Sequence, residues 1–287
     1  MEYLNPRNDV AFKKIFGDDN NKDILLHFLN DVLHKTGNNA IAEVTICNPT
    51  QLPEIAYNKE SILDVLCTDN NGIKYIVEMQ VNSRKGFEKR AQYYAAKTYS
   101  SQAKASDDYY NLKEVIFLAI LDYNLFPHKL NYKSDHVILD KDSYAHDLRD
   151  FSFTFIELPK FNKQNPEELN SYEEKWCYFF KYAGELDIMR KFLTTIKDVA
   201  IIQKAYNVLE AHNWTSQELI NYEAEEKKRK DSKAREAFII DEASAKGIEI
   251  GKKRGVEIGK EWGLEIGKEE GIMQFAASMK ALGIDIE

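Results

Sequence analysis

The chain has 287 residues, 44% of them hydrophobic, which is enough for one substantial core plus an appendage. Its net charge of −8 argues against a protein that coats nucleic acid indiscriminately, but leaves room for a local basic groove. No stretch approaches roughly 18 apolar residues and the opening MEYLNPRNDV lacks the basic and apolar parts of a secretion signal, so a soluble, cytoplasmic protein with no membrane contact is expected.

Asn5-Pro6 reads as the cap and first turn of a helix on which Ala11, Phe12, Ile15 and Phe16 share one face before Gly17 stops it. Asp9, Lys13 and Lys14 lie on or beside the remaining face, where a solvated surface is the default reading. A second helix is expected over about Asn21 to Lys35, burying Ile24, Leu25, Phe28, Leu29 and Val32 and ending at Gly37-Asn38-Asn39. A first strand over Ile41 to Cys47 and a turn over Pro49 to Pro53 then lead on.

The segment Ser61 to Val81, SILDVLCTDNNGIKYIVEMQV, places two apolar runs around Asp69-Asn70-Asn71-Gly72, a strong signal for a β-hairpin. Asp64 sits in its first strand, and Glu78 and Gln80 in its second. Ionised carboxylates in apolar strands need compensation, and a divalent metal is the natural candidate. A two-residue turn at Asn71-Gly72 would set Asp64 opposite Met79. A three-residue loop Asn70-Asn71-Gly72, with Gly72 left-handed, sets Asp64 opposite Glu78 with Gln80 on the same face. The three-residue loop is the expectation.

Arg84 to Lys104 follows as a helix carrying Arg84, Lys85, Lys89, Arg90, Lys97 and Lys104 against Glu88 alone, interleaved with Tyr93, Tyr94 and Tyr99. Beside the hairpin, this is a candidate phosphate-binding face; alone, it would read as a solvated helix. Val115 to Leu121 is continuously apolar and suits a central strand buried on both faces. Strands over His136 to Leu139 and Phe151 to Leu158 follow, and Pro159 closes the sheet. From Pro166 to about Ile240 the patterns are helical, with no catalytic constellation, and Glu223 to Glu236 reads as an exposed face of mixed charge.

The tail repeats. Glycines recur every fourth residue from Gly247 to Gly271, and a finer period of eight repeats Gly-apolar-Glu-Ile-Gly-Lys. The tail is either a self-association element or a mobile appendage, and its Glu and Lys content excludes a transmembrane glycine-spaced helix. Cys47, Cys67 and Cys177 show no CxxC spacing and read as reduced thiols; His27, His34, His128, His136, His146 and His212 form no HxxxH pair and receive no role.

Asp64, a short hairpin and then Glu78-x-Gln80 resemble the D…(D/E)xK signature of the PD-(D/E)XK nuclease superfamily, with Gln80 in the lysine position. Together with NPRNDVAFKKIFG, the IVEMQ strand, FEKRAQYYAAKTYSSQ and FIELPKF, this is similar to the Rpn family of recombination-promoting nucleases, often labelled transposases, over about Asn5 to Phe161. The resemblance implies an α/β PD-(D/E)XK nuclease-like core at residues 1–161, with a mixed β-sheet flanked by helices. An α-helical C-terminal region at 162–245 and the glycine-periodic tail at 246–287 would follow. It implies a Mg²⁺-dependent DNA endonuclease linked to DNA recombination or transposition. Asp64, Glu78 and the Met79 carbonyl would bind Mg²⁺ or another divalent cation, and Gln80 would orient the attacking water without lysine's charge. Arg84, Lys89, Arg90 and Lys13 would grip DNA phosphates, and Asp9 would contribute from the first helix. The competing expectation is a catalytically silent DNA-binding or oligomeric assembly protein.

Overall fold

The computed structural model describes residues 3–51, 61–83, 85–103, 108–196 and 200–283. Within them the chain forms α1 (Asp9–Phe16), α2 (Lys22–Val32), β1 (Val44–Cys47), β2 (Thr50–Gln51), β3 (Ser61–Ile62), β4 (Val65–Asp69), β5 (Lys74–Gln80), α3 (Phe87–Ser100) and β6 (Val115–Leu121). β7 (Lys133–Val137), β8 (Phe151–Glu157), α4 (Tyr172–Tyr182), α5 (Leu186–Thr195), α6 (Ala200–Val208) and α7 (Ser216–Ala281) complete it.

The sheet is mixed, in the order β1-β4-β5-β6-β8-β7. β4 pairs antiparallel with β1 and β5, the pairs β5–β6 and β6–β8 are parallel, and β7 returns antiparallel on β8. β6 is central and buried along its whole length, as its unbroken apolar run requires of a strand covered on both faces. Alternate residues feed two cores. Val65, Val77, Met79, Leu118 and Ile120 share one cluster with the buried faces of α1, α2, α4 and α6. Ile76, Phe117, Ala119 and Phe155 pack with Phe87, Ala91 and Ala95 of α3 in the other. Glu78 and Gln80 have the parity of Ile76, so β5 turns them to the α3 face.

Several boundaries differ from the sequence expectation. α1 begins at Asp9, capped by the Asn8 side chain accepting the Val10 N–H; Asn5 instead accepts the Arg7 N–H at 3.0 Å in a turn ahead of the helix. Thr50 and Gln51, expected in a turn, pair with Ser61 and Ile62 as a short ribbon. The strand expected at His136 lies at Lys133–Val137, and the basic helix starts at Phe87 after Gly86, which has a φ of +82°. Arg84 and Lys104 lie outside the described residues.

The chain divides into two compact units, Met1–Arg229 and Lys230–Glu287. In the first, the helical half joins the sheet's core: Trp176 and Phe180 of α4 meet Phe16 and Phe28 at ring-centroid separations of 5.3 to 6.0 Å. In the second, the glycine repeat is helical, within α7.

Candidate active site

The hairpin turn fixes which side chains meet. Gly72 adopts a φ of +86°, its N–H donates to the Asp69 carbonyl, and the Asp69 N–H donates to the Ile73 carbonyl, each at 3.0 Å. Asp69 locks the loop by accepting the N–H groups of Asn71 and Ile73 through Oδ1, both at 2.9 Å. The loop is therefore Asn70-Asn71-Gly72, and the ladder runs from Thr68↔Lys74 to Val65↔Val77. One step further along this register sets Asp64 opposite Glu78.

Asp64 immediately precedes β4 and Glu78 lies near the end of β5, and each is tied to the other strand's backbone. The Asp64 N–H donates to Glu78 Oε1 at 3.1 Å, and the Met79 N–H donates to Asp64 Oδ2 at 2.9 Å. Gln80 Nε2 donates to Glu78 Oε2 at 3.1 Å. Glu78 is only 2% exposed, and the Asp64 side chain 12%. Burial pushes both carboxyls above their ordinary range, Asp64 to about 6 and Glu78 to about 8. The Asp64 charge adds to the rise at Glu78, Asp9 adds to it at Asp64, and Lys13 opposes it at both.

The pair offers oxygen donors to a hard divalent cation: two carboxyls at one end of the hairpin, each bonded to the other's strand. Met79 offers a third, because N–H and C=O of one strand residue point to the same edge and its N–H already points to Asp64. Leu63, next along the register, sends its own N–H to the Pro49 carbonyl instead. Among the described residues, no group of three or more His, Cys, Asp or Glu is placed to hold a metal. Two carboxylates and a carbonyl would leave the other positions to water and phosphate oxygens, as suits Mg²⁺.

The first helix reaches the same place. Lys13 Nζ lies 3.6 Å from Asp64 Oδ1, although α1 packs with the opposite core cluster. Arg90 of α3 acts electrostatically on Glu78 and lies over the Phe87 ring, its guanidinium carbon 4.8 Å from the centroid. Lys89 is exposed on the same helix. The structure thus brings Asp64, Glu78, Met79, Gln80, Asp9, Lys13 and Arg90 to one end of the hairpin.

Sequence reading missed the residues that hold this end in place. The Arg7 guanidinium pairs with Asp122 at 2.9 Å, and the Asp122 N–H donates to the Gln80 carbonyl at 2.9 Å, pinning the end of β5. Asn8 donates from Nδ2 to the Tyr222 carbonyl at 3.2 Å and to Glu226 Oε1 at 3.1 Å, tying α1 to α7. Adjacent Asn8-Asp9 was a visible cap signal; the partners, more than a hundred residues away, left none.

Residues 6–237 match a family model described as PD-(D/E)XK nuclease family transposase. The chain belongs to this family. No curated protein and no solved structure matches it. The matched span contains α1, the hairpin and α3 and ends before the glycine repeat. Membership supports a nuclease, transposition-related function with DNA as substrate. Among the described residues, no helix is long and apolar enough to cross a membrane.

Proposed function

We propose that the protein is a metal-dependent DNA endonuclease, hydrolysing phosphodiester bonds at the end of the hairpin. The observation that carries this reading is the largely buried pair Asp64 and Glu78, each bonded to the other's strand and each with its carboxyl pushed above the ordinary range by burial. Nucleases of this superfamily typically use divalent cations, and Asp64, Glu78 and the Met79 carbonyl would hold Mg²⁺ or a similar ion. Such an ion supplies Lewis acidity and lowers the pKa of a bound water.

The chain's own groups do the rest. Gln80, held against Glu78, orients the attacking water through its amide. Arg90 and Lys89 bind phosphates along the DNA from α3, with Arg84 assigned the same task from sequence, and Lys13 meets the phosphate at the carboxylates from α1. The glycine-periodic tail provides self-association.

Cleavage of supercoiled plasmid tests this reading. Nicking should require a divalent ion, stop in EDTA, and fall by about 100-fold or more in folded Asp64→Ala and Glu78→Ala. DNA binding that ignores divalent ions, with full activity in Asp64→Ala, would sink it.

A further inference from the structure

The site needs a positive charge that its signature position lacks. Gln80 stands where the D…(D/E)xK pattern has lysine, and its amide, neutral, is engaged by Glu78. Among the described residues, two cations that act on the carboxylates are held differently. The Arg90 guanidinium is stacked between Phe87 and Tyr94, 4.8 and 5.7 Å from their centroids, and acts on Glu78 from the α3 side. Lys13 reaches in from α1 with a side chain 42% exposed, and its charge acts on both Asp64 and Glu78.

At 3.6 Å from Asp64 Oδ1, the Lys13 ammonium makes a long contact that engages at most one of its three donors and leaves the others for a further acceptor. Asp64 Oδ2 already accepts the Met79 N–H. The neighbouring Lys14 is drawn away to Glu218 and over the Trp214 ring, leaving Lys13 as the α1 cation at the carboxylates. Its helix is firmly seated: Phe12 and Ile15 are fully buried and Asn8 is tied to α7.

We propose that Lys13 supplies, at the scissile phosphate, the positive charge that a lysine in place of Gln80 would give. The assignment rests on the nuclease reading above. Water oxygen forms the new P–O bond, a bridging P–O bond breaks, the water proton passes to solvent and the departing oxygen takes one up. Lys13 stays protonated throughout and donates a hydrogen bond to a non-bridging oxygen, where charge accumulates in the transition state.

Single-turnover nicking by the full chain in Mg²⁺ tests this, with wild type, Lys13→Ala, Lys13→Met and Lys13→Arg each melted to check folding. Lys13→Ala and Lys13→Met should lower the saturated rate by about 100-fold while changing plasmid affinity by less than about threefold. Lys13→Arg should retain at least about a tenth of the rate, and added methylammonium should restore part of it in Lys13→Ala alone. Should Lys13→Ala melt early, Lys13→Met, which keeps the packing stem, carries the comparison. Weakened affinity with a full saturated rate would reduce Lys13 to a phosphate grip and overturn the assignment. Absence of divalent-dependent nicking in wild type would instead remove the nuclease reading itself, and this assignment with it.

Discussion

Glu78 is buried in β5 with Asp64 in front of it, so ionising either carboxylate raises the cost of ionising the other. Both folded-state pKa values lie above those of the unfolded chain. The native state therefore holds protons that the unfolded state has released, and this contribution to stability is lost as pH rises through about 6 and then about 8. Metal-free protein should melt at progressively lower temperature between about pH 5 and pH 8. Glu78→Gln, which keeps the shape and can still accept the Asp64 N–H, should flatten that slope and stabilise the protein at about pH 8 by about 1 kcal/mol. Added Mg²⁺ should stabilise wild type and not the variant. Thermal melts in EDTA across this range check it, and a flat wild-type profile would mean that the pair is not strained. The approach of this pair was legible in the sequence because Gly72 and the Asp69 carboxylate set the register up to Val65↔Val77; beyond that ladder, side-chain to backbone bonds bring Asp64 and Glu78 together.

At the scale of elements, α1 is the piece whose position matters most and whose support was invisible in the sequence. Its apolar face could be read from Ala11, Phe12, Ile15 and Phe16, all buried, but Asn5-Pro6 was read as its start, whereas the helix is capped by Asn8. Packing chose Asn8, which is 3% exposed and uses its oxygen on the Val10 N–H and its nitrogen on Tyr222 and Glu226. Asn8→Ala removes the cap and both links to α7, and should destabilise the first unit by about 1–3 kcal/mol. Asn8→Asp keeps the cap oxygen but loses the donor and faces Glu226 with a like charge, so it should lower the nicking rate without losing the helix. Circular dichroism and plasmid nicking together check the pair. Wild-type nicking in Asn8→Asp would show that α1 does not need α7 to present Lys13.

Across the whole molecule, composition separates a sheet-forming half from a helical half near Phe161, whereas packing joins them: Phe179 and Tyr206 meet at 4.9 Å in the core that also holds Phe12. Which helix faces close over a sheet depends on contacts between distant segments, and periodicity reveals only that the faces exist. The tail is the opposite case, legible as a repeat but not as a surface. Within the second unit, Ile248, Val256, Leu264 and Ile272 are each more than half exposed, and a Cβ added at Gly247, Gly255 or Gly263 would meet open space.

Recurring every eight residues, those apolar positions advance about 80° around the helix per repeat, so they wind around it instead of lining one side. Glycine costs roughly 0.8–1 kcal/mol per site relative to alanine, which leaves such a helix poorly stabilised by itself. A second copy offers compensation for both: glycines admit close backbone approach, and the wound stripe can be followed only by a partner that coils around it. The apolar repeat is longer than about 3.6 residues per turn, so that coil should be right-handed. A chain ending after Asp241 should therefore keep the melting transition of its folded unit while light scattering reports a smaller assembly. Replacing Ile248, Val256 and Leu264 with lysine in the full chain should have the same effect, and an unchanged mass in both would remove self-association from what the tail does.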